Sequence, residues 1–234
     1  SVERAFRIAQ AGVPGPVFVE IPVDILYDEA TVREWYMKET GVDKAKNIGA
    51  KLLKVYLNRH LHQIFNGATD KQPNPPLEAA IPELDIEQVK EAADILNQAK
   101  KPVLVIGSQA MILAQEAEAI AEAVEGLGVP TFLAGMARGL LGQKNDLQFR
   151  HKRSAALKEA DVVIVAGFPF DFRMGYGRSI NKRAQIVAIN RSPVELRKNR
   201  RPELAIRADA GQFLQALSKA TPKPYGRWDR WFEA

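Results

Sequence analysis

Four short segments of this 234-residue chain carry the groups best suited to hold a ligand. Gly107-Ser108-Gln109, Ala134-Gly135-Met136, Gly167-Phe168-Pro169 and Asn190-Arg191-Ser192 each follow an apolar run. Small and polar residues in that place are what a crevice at the carboxyl edge of a parallel sheet requires. Gly107 and Gly167 would let a backbone approach a ligand closely. Asp171-Phe172-Arg173 follows the second glycine. An arginine there could clamp a phosphate with two parallel N–H bonds. The plainer alternative is an Asp–Arg pair that only fixes a loop. Arg138-Gly139-Leu140-Leu141-Gly142 lies past another strand end, and its glycines serve equally well as turn residues. Neither GxGxxG nor GxxxxGK[ST] occurs, so the usual dinucleotide and P-loop modes do not apply.

Other chemistries find little support. The chain has no cysteine, which excludes disulfides, iron–sulfur clusters, thiolate zinc sites and cysteine nucleophiles. His60 and His62 sit two apart in a helical stretch, which points them to different faces. His151 lies in a basic loop and reads as solvated. No spacing suggests a Ser/His/Asp set, and Glu20 and Asp24 at a strand end read as structural caps.

The elements that would position these segments alternate. Val2, Ala5, Phe6 and Ala9 share one helical face, Gly12 ends that helix, and Val17–Ile21 reads as a strand closed by Pro22. Residues 23–84 read as a long connection with one helix, Lys46 to Phe65, and a Pro-rich stretch from Gly67 to Pro82. From Asp85, an N-cap with Gln88 at the capping-box position, helices and strands follow in turn. Helices are expected from Asp85 to Ala99, over Leu113–Leu127, ending at Ala155–Glu159, and over Asp209–Ala220. Strands are expected at Pro102–Ile106, Val129–Leu133, Val162–Ala166, Gln185–Asn190 and Leu204–Ile206. The longest of these are too apolar to have a wet face, so the fold class is α/β, a Rossmann-like doubly wound parallel sheet. Trp228 and Trp231 near the end are expected to pack, with a domain outside this chain as one candidate surface.

Composition suits a globular protein: 46% hydrophobic and 26% charged residues. No apolar run is long enough to span a bilayer. The chain starts at Ser1, shows no signal-peptide pattern there and opens inside a helical pattern, so we expect it to be cut from something longer. The net charge of +5 concentrates between Arg178 and Arg207, where nine basic residues face only Glu195 and Glu203. That window suits a phosphate-binding face or a solvated surface. No helix-turn-helix, RRM or zinc pattern accompanies it, so no nucleic-acid partner is expected.

The run from Ala11 to Asp24, AGVPGPVFVEIPVD, resembles the end of the pyrimidine-binding domain of thiamine-diphosphate (ThDP) enzymes of the acetolactate synthase family. Lys101–Gly107 resembles the opening strand of the central domain in that superfamily, and Ala160–Gly167 with Phe170-Asp171-Phe172-Arg173 resembles its GxxFDxR segment, which touches a flavin nucleotide there. Tyr56–Leu61, Gly135-Met136-Ala137-Arg138-Gly139-Leu140-Leu141-Gly142 and Gly175-Tyr176-Gly177-Arg178 look like the acetolactate synthase-like, 2-hydroxyacyl-CoA lyase branch. The resemblance implies that 1–27 ends a pyrimidine domain, 28–84 is a linker, 85–221 is the central domain and 222–234 begins a linker to a C-terminal domain.

It further implies a ThDP-dependent carbon–carbon lyase or synthase acting on 2-oxo or 2-hydroxyacyl-CoA substrates, with this chain as the nucleotide-shaped scaffold. A non-catalytic nucleotide-binding module is the alternative. ThDP and Mg²⁺ would be held elsewhere, because the activating Glu lies upstream of these residues and the family's GDG motif is absent from them. FAD, ADP or CoA would meet Gly107, Ser108, Gly167, Asp171, Arg173, Asn190 and Arg191. Asn190 stands where the synthases place an acid for the ribose, and Arg191 beside it would suit an extra phosphate, as on CoA. The implied partners are a nucleotide-containing small molecule, the protein's own pyrimidine and diphosphate domains, and further copies in a homodimer or homotetramer. The implied location is cytoplasmic, although animal relatives are membrane-attached through an upstream segment.

Overall fold

The structure, a computed structural model, describes residues 2–44, 47–68, 70, 72, 74–221, 228 and 231. Two compact units divide it: residues 1–9 with 15–78, and residues 10–14 with 79–234.

The smaller unit is helical. Helix α1 spans Val2–Gln10, α2 Glu29–Thr40 and α3 Ile48–Phe65. Sequence reading passed over α2, because only Val32 of its residues is buried and no apolar stripe announces it. Its start is nevertheless encoded locally. The Asp28 carboxylate accepts from the Thr31 backbone N–H at 2.9 Å and from the Thr31 hydroxyl at 2.7 Å, an N-cap. Gly41 closes the other end in a left-handed conformation. Helices α2 and α3 meet through Val32, Leu57 and Leu61, with Arg33 donating to Asn58 Oδ1 at 2.8 Å. The expected start of α3 at Lys46 lies outside the described residues. The strand expected at Val17–Ile21 is a correction. The segment is in no strand, and Phe18 is 88% exposed. A strand exists only through a ladder with a neighbour, and no described residue supplies one.

The larger unit is a five-stranded sheet with helices on both faces. After α4 (Ile86–Gln98) come β1 (Pro102–Ile106), α5 (Ala117–Leu127), β2 (Thr131–Leu133), α6 (Arg153–Glu159), β3 (Val162–Ala166), β4 (Gln185–Ile189), β5 (Leu204–Ile206) and α7 (Ala210–Ala220). The order across the sheet is β2-β1-β3-β4-β5, and every pairing is parallel. Beyond β2, the Thr131 N–H donates to Leu147 O at 2.7 Å and the Phe149 N–H to Thr131 O at 2.9 Å, a one-residue rudiment of a further strand.

Alternation of side chains explains the layers. Leu104, Ile106, Ile164, Ala166, Val187 and Ile189 point to the face covered by α4, α5 and α7. Val103, Val105, Val163, Val165, Ile186 and Ala188 point to the other face, closed by Leu157 of α6 and by Phe168, Phe170, Met174 and Leu196. Every residue of β1 and β3 is buried, as their uninterrupted apolar runs require.

The two late tryptophans also correct an expectation. They pack on this unit itself. Trp228 is 3% exposed and its indole N–H donates to Ala99 O at 3.1 Å. The Trp231 indole donates to Pro102 O at 3.0 Å, beneath the Lys101 ammonium 4.9 Å from its ring. Trp228→Ala is therefore expected to cost about 3–5 kcal/mol of unfolding free energy in a denaturant titration of the chain, the usual cost of removing a buried tryptophan.

Candidate functional site

The chain leaves β1 toward β2 on one side and returns to β3 on the other. The topological switch point therefore lies between the carboxyl ends of β1 and β3, where Gly107 and Gly167 sit. Both glycines have internal causes. The Gly107 N–H donates to Ala166 O and the Gly167 N–H to Ile189 O, each at 2.8 Å. A Cβ on Gly107 would run into the Gly167 carbonyl and lie 2.7 Å from Phe168 Cβ. Gly167 has φ +69°, and a Cβ there would sit 2.9 Å from the Ala110 nitrogen. The close approach these residues allow is thus of one strand end to the next. Ser108 is engaged too: its hydroxyl oxygen accepts from the Met136 N–H at 3.2 Å.

A buried polar network ties the other strand ends together. The Gln109 amide donates to Asn190 Oδ1 at 2.9 Å and accepts from the Arg191 N–H at 3.0 Å. Asn190 Oδ1 also accepts from the Ser192 N–H at 2.8 Å. Arg191 donates through Nε and Nη2 to Asp209 Oδ2 at 2.9 and 2.6 Å, and through Nη1 to Gly12 O at 3.1 Å. The two charged side chains are 1% and 2% exposed. Asp209 Oδ1 meanwhile accepts from the Gln212 N–H at 3.0 Å and caps α7. The Arg191 guanidinium therefore faces a carboxylate and a carbonyl inside the protein. Sequence reasoning marked Gln109 only as a strand end and Asp209 only as a helix start.

Asp171 and Arg173 form a tighter local pair. Asp171 Oδ1 accepts from the Arg173 N–H at 2.9 Å, and Oδ2 accepts from Nε and Nη2 at 3.0 and 2.5 Å. The arginine's hydrogen bonds hold the Asp171 carboxyl below the ordinary aspartate range, and Asp171 in turn raises Arg173. The Arg173 side chain is still 48% exposed, with its guanidinium 5.2 Å from the Phe168 ring centre. It is the one arginine of the seven candidate residues that remains open to solvent.

Two cavities lie instead beside β2, and neither is lined by any of the seven. One, of about 650 Å³, takes Arg138, Arg150, Lys152 and Arg153 into its wall. Burial, and then the charge of Arg138, push Arg153 below the ordinary arginine value. Its Nη2 donates to the Arg173 carbonyl. The second, of about 490 Å³, is lined by Phe132, Phe149, Ala155, Ala156 and Trp231 among others, with exposed His151 at its edge. These cations are spread over sixteen positions of turn-rich sequence, and no periodicity links them. The basic window behaves differently: Arg191 is buried, Lys198 pairs with Glu195 at 3.0 Å, and Arg200 donates to Asn181 O at 3.3 Å. His60 stacks on Tyr56, ring centres 6.1 Å apart. Among the described residues no group of three or more His, Cys, Asp or Glu could hold a metal ion.

The sheet order and its switch point, without a phosphate-binding glycine fingerprint, define an open, doubly wound α/β domain. The family model "Thiamine pyrophosphate enzyme, central domain" matches residues 89–217, and the chain belongs to that family. It is 44% identical to 2-hydroxyacyl-CoA lyase 2 of Danio rerio over 225 residues, covering 94% of the chain and 36% of the relative. It is 41% identical to the lyase of the same name from Homo sapiens over 221 residues, covering 93% and 34%. With acetolactate synthase isozyme 1 large subunit of Escherichia coli it shares 28% identity, covering 96% and 34%. A crystal structure of a thiamin diphosphate-dependent enzyme from Mycobacterium smegmatis aligns with TM-score 0.60 and 18% identity over 97% of this chain and 37% of that one, a likeness of fold. The chain thus spans about a third of the length of these relatives. Its own residues do not fit diphosphate and Mg²⁺: the sequence has no Gly-Asp-Gly, and the described residues offer no cluster of acidic ligands.

The buried pair gives a sharp test. Asp209→Ala should cost about 3–5 kcal/mol, because it strands Arg191 as an uncompensated buried charge. The double variant Arg191→Met with Asp209→Leu should cost markedly less than the single, as read from paired denaturation curves.

Proposed function

We propose that the polypeptide carrying this chain is a ThDP-dependent carbon–carbon lyase that cleaves 2-hydroxyacyl-CoA thioesters. The observation that carries the reading is the gradient of identity: 41–44% to the lyases against 28% to the acetolactate synthase, each over more than nine-tenths of the chain. When bound by the complete enzyme, ThDP supplies an electron sink for the carbanion left as the carbon–carbon bond breaks.

The residues of this chain at the switch point act as scaffold. Gly107, Ser108, Gly167, Asn190 and Arg191 fix the strand ends, and Arg173 with its partner Asp171 presents a guanidinium toward solvent at the end of β3. Asn190 is poorly placed to hold the ribose of a nucleotide at this strand end. Asn190 offers no carboxylate to a ribose, and its side-chain oxygen already accepts from Gln109 and Ser192. We further propose that the complete enzyme assembles as a homodimer or homotetramer.

The polypeptide carrying this chain, supplied with ThDP, Mg²⁺ and a 2-hydroxyacyl-CoA, is expected to release formyl-CoA and an aldehyde one carbon shorter. No turnover is expected when ThDP is left out. Conversion of pyruvate to acetolactate, with the thioester untouched, would overturn the lyase reading in favour of the synthase branch.

A further inference from the structure

The two cavities beside β2 share a wall, since Phe132, Gln148, Phe149, Arg150 and Lys152 line both. Their chemistries differ. The smaller chamber presents aromatic and methyl surface, with Phe132 and Phe149 inclined at 44° and 6.0 Å apart, and Trp231 also in the lining. Set into that surface are the amides of Gln143 and Gln148, the His151 ring and the Glu159 carboxylate, beside Arg150 and Lys152 of the shared wall. Flat apolar walls with a few amide donors and acceptors suit a heteroaromatic base, which offers π faces and a polar edge. The volumes, about 490 and 650 Å³, lie in the range of small-molecule sites.

The larger chamber is cationic. Arg138, Arg150, Lys152 and Arg153 line it, and none of the four is in an ion pair among the described residues. Mutual repulsion without a compensating carboxylate is a cost that an incoming anion removes. Its sign is visible in Arg153, whose proton is held less tightly because of burial and of Arg138. Lys152 has φ +57°, a conformation uncommon for a residue with a long side chain, and it sits where the two chambers meet. Arginine forks and a lysine point charge together suit phosphate oxygens.

We propose that this double cavity is a nucleotide-binding site, with the base in the aromatic chamber and the phosphates in the cationic one. It lies at the outer edge of the sheet beside β2, apart from the crevice between β1 and β3. The ligand is either the nucleotide end of CoA or a free purine nucleotide; the first alternative rests on the lyase reading above, the second does not.

The test is titration of the chain with CoA, with ADP and with adenosine, followed by tryptophan fluorescence and by calorimetry. Saturable binding of CoA or ADP is expected, with affinity falling as salt rises and with adenosine weaker than either. Trp231→Phe should keep the calorimetric signal and lose most of the quenching. Arg138→Gln with Lys152→Asn, the asparagine chosen because it tolerates the left-handed backbone, should weaken binding about tenfold or more. Arg173→Ala should leave it unchanged. Tighter CoA than ADP would assign the site to the thioester's nucleotide end, and the reverse to a free nucleotide effector. No saturable binding by a chain with normal melting would overturn the proposal. So would loss of binding in Arg173→Ala with none in the double variant, which would place the ligand at the switch point. If the double variant in the complete enzyme kept both ADP affinity and KM for the thioester, the site would fall while the lyase reading stood.

Discussion

Burying a charge costs several kcal/mol unless every polar atom around it is answered, and Arg191 with Asp209 meets that condition at the heart of the sheet's carboxyl edge. Three guanidinium nitrogens and both carboxylate oxygens have partners, and those partners come from distant parts of the chain. Gly12 lies before the sheet, Arg191 just past β4, and Asp209 and Gln212 at the start of α7. One ion pair therefore sets where α7 begins. That helix contributes Phe213, Leu214 and Leu217, each wholly buried, to the core on its face of the sheet. Such a pair is poor evidence of net stability, since apolar residues of the same shape could serve as well. It is good evidence of a unique arrangement that tolerates no slip between β4 and α7.

The same economy of partners runs across the neighbouring strand ends. Gln109 reaches from the end of β1 to the end of β4, and the contact of Gly107 with the Gly167 carbonyl closes the space between β1 and β3. The switch point, where open α/β sheets usually receive their ligands, is packed largely with the protein's own groups. Beside β2 the balance reverses: four cations line a chamber without an ion pair among the described residues. A rigid frame on one side and cations without an ion pair on the other is a division that suits a domain that positions a ligand.

Much of this was legible in the residues. Val103–Ile106 and Val162–Ala166 are apolar without interruption, and only a strand covered on both faces explains that. The Asp85 cap, a helix starting near Asp209, the short β5 and the family likeness carried by the PGPV and GMARGLLG runs were all readable in the residues. Long-range pairing was not. Val17–Ile21 has strand composition but no ladder neighbour among the described residues, and composition cannot supply one. Arg191 looked like a phosphate ligand because a buried partner eighteen positions on leaves no periodic trace. Arg138 and Arg153 line one chamber from fifteen positions apart, so their convergence is a property of the fold alone.

The most direct measurement is photoaffinity labelling of the chain with an azido-adenine nucleotide, followed by mapping of the labelled peptide. Label confined to residues 130–156 and Trp231, and competed away by CoA, is the result predicted for a base seated in the aromatic chamber beside β2. Label on 107–110 or 168–173 would contradict this account, and would return the ligand to the crevice between β1 and β3.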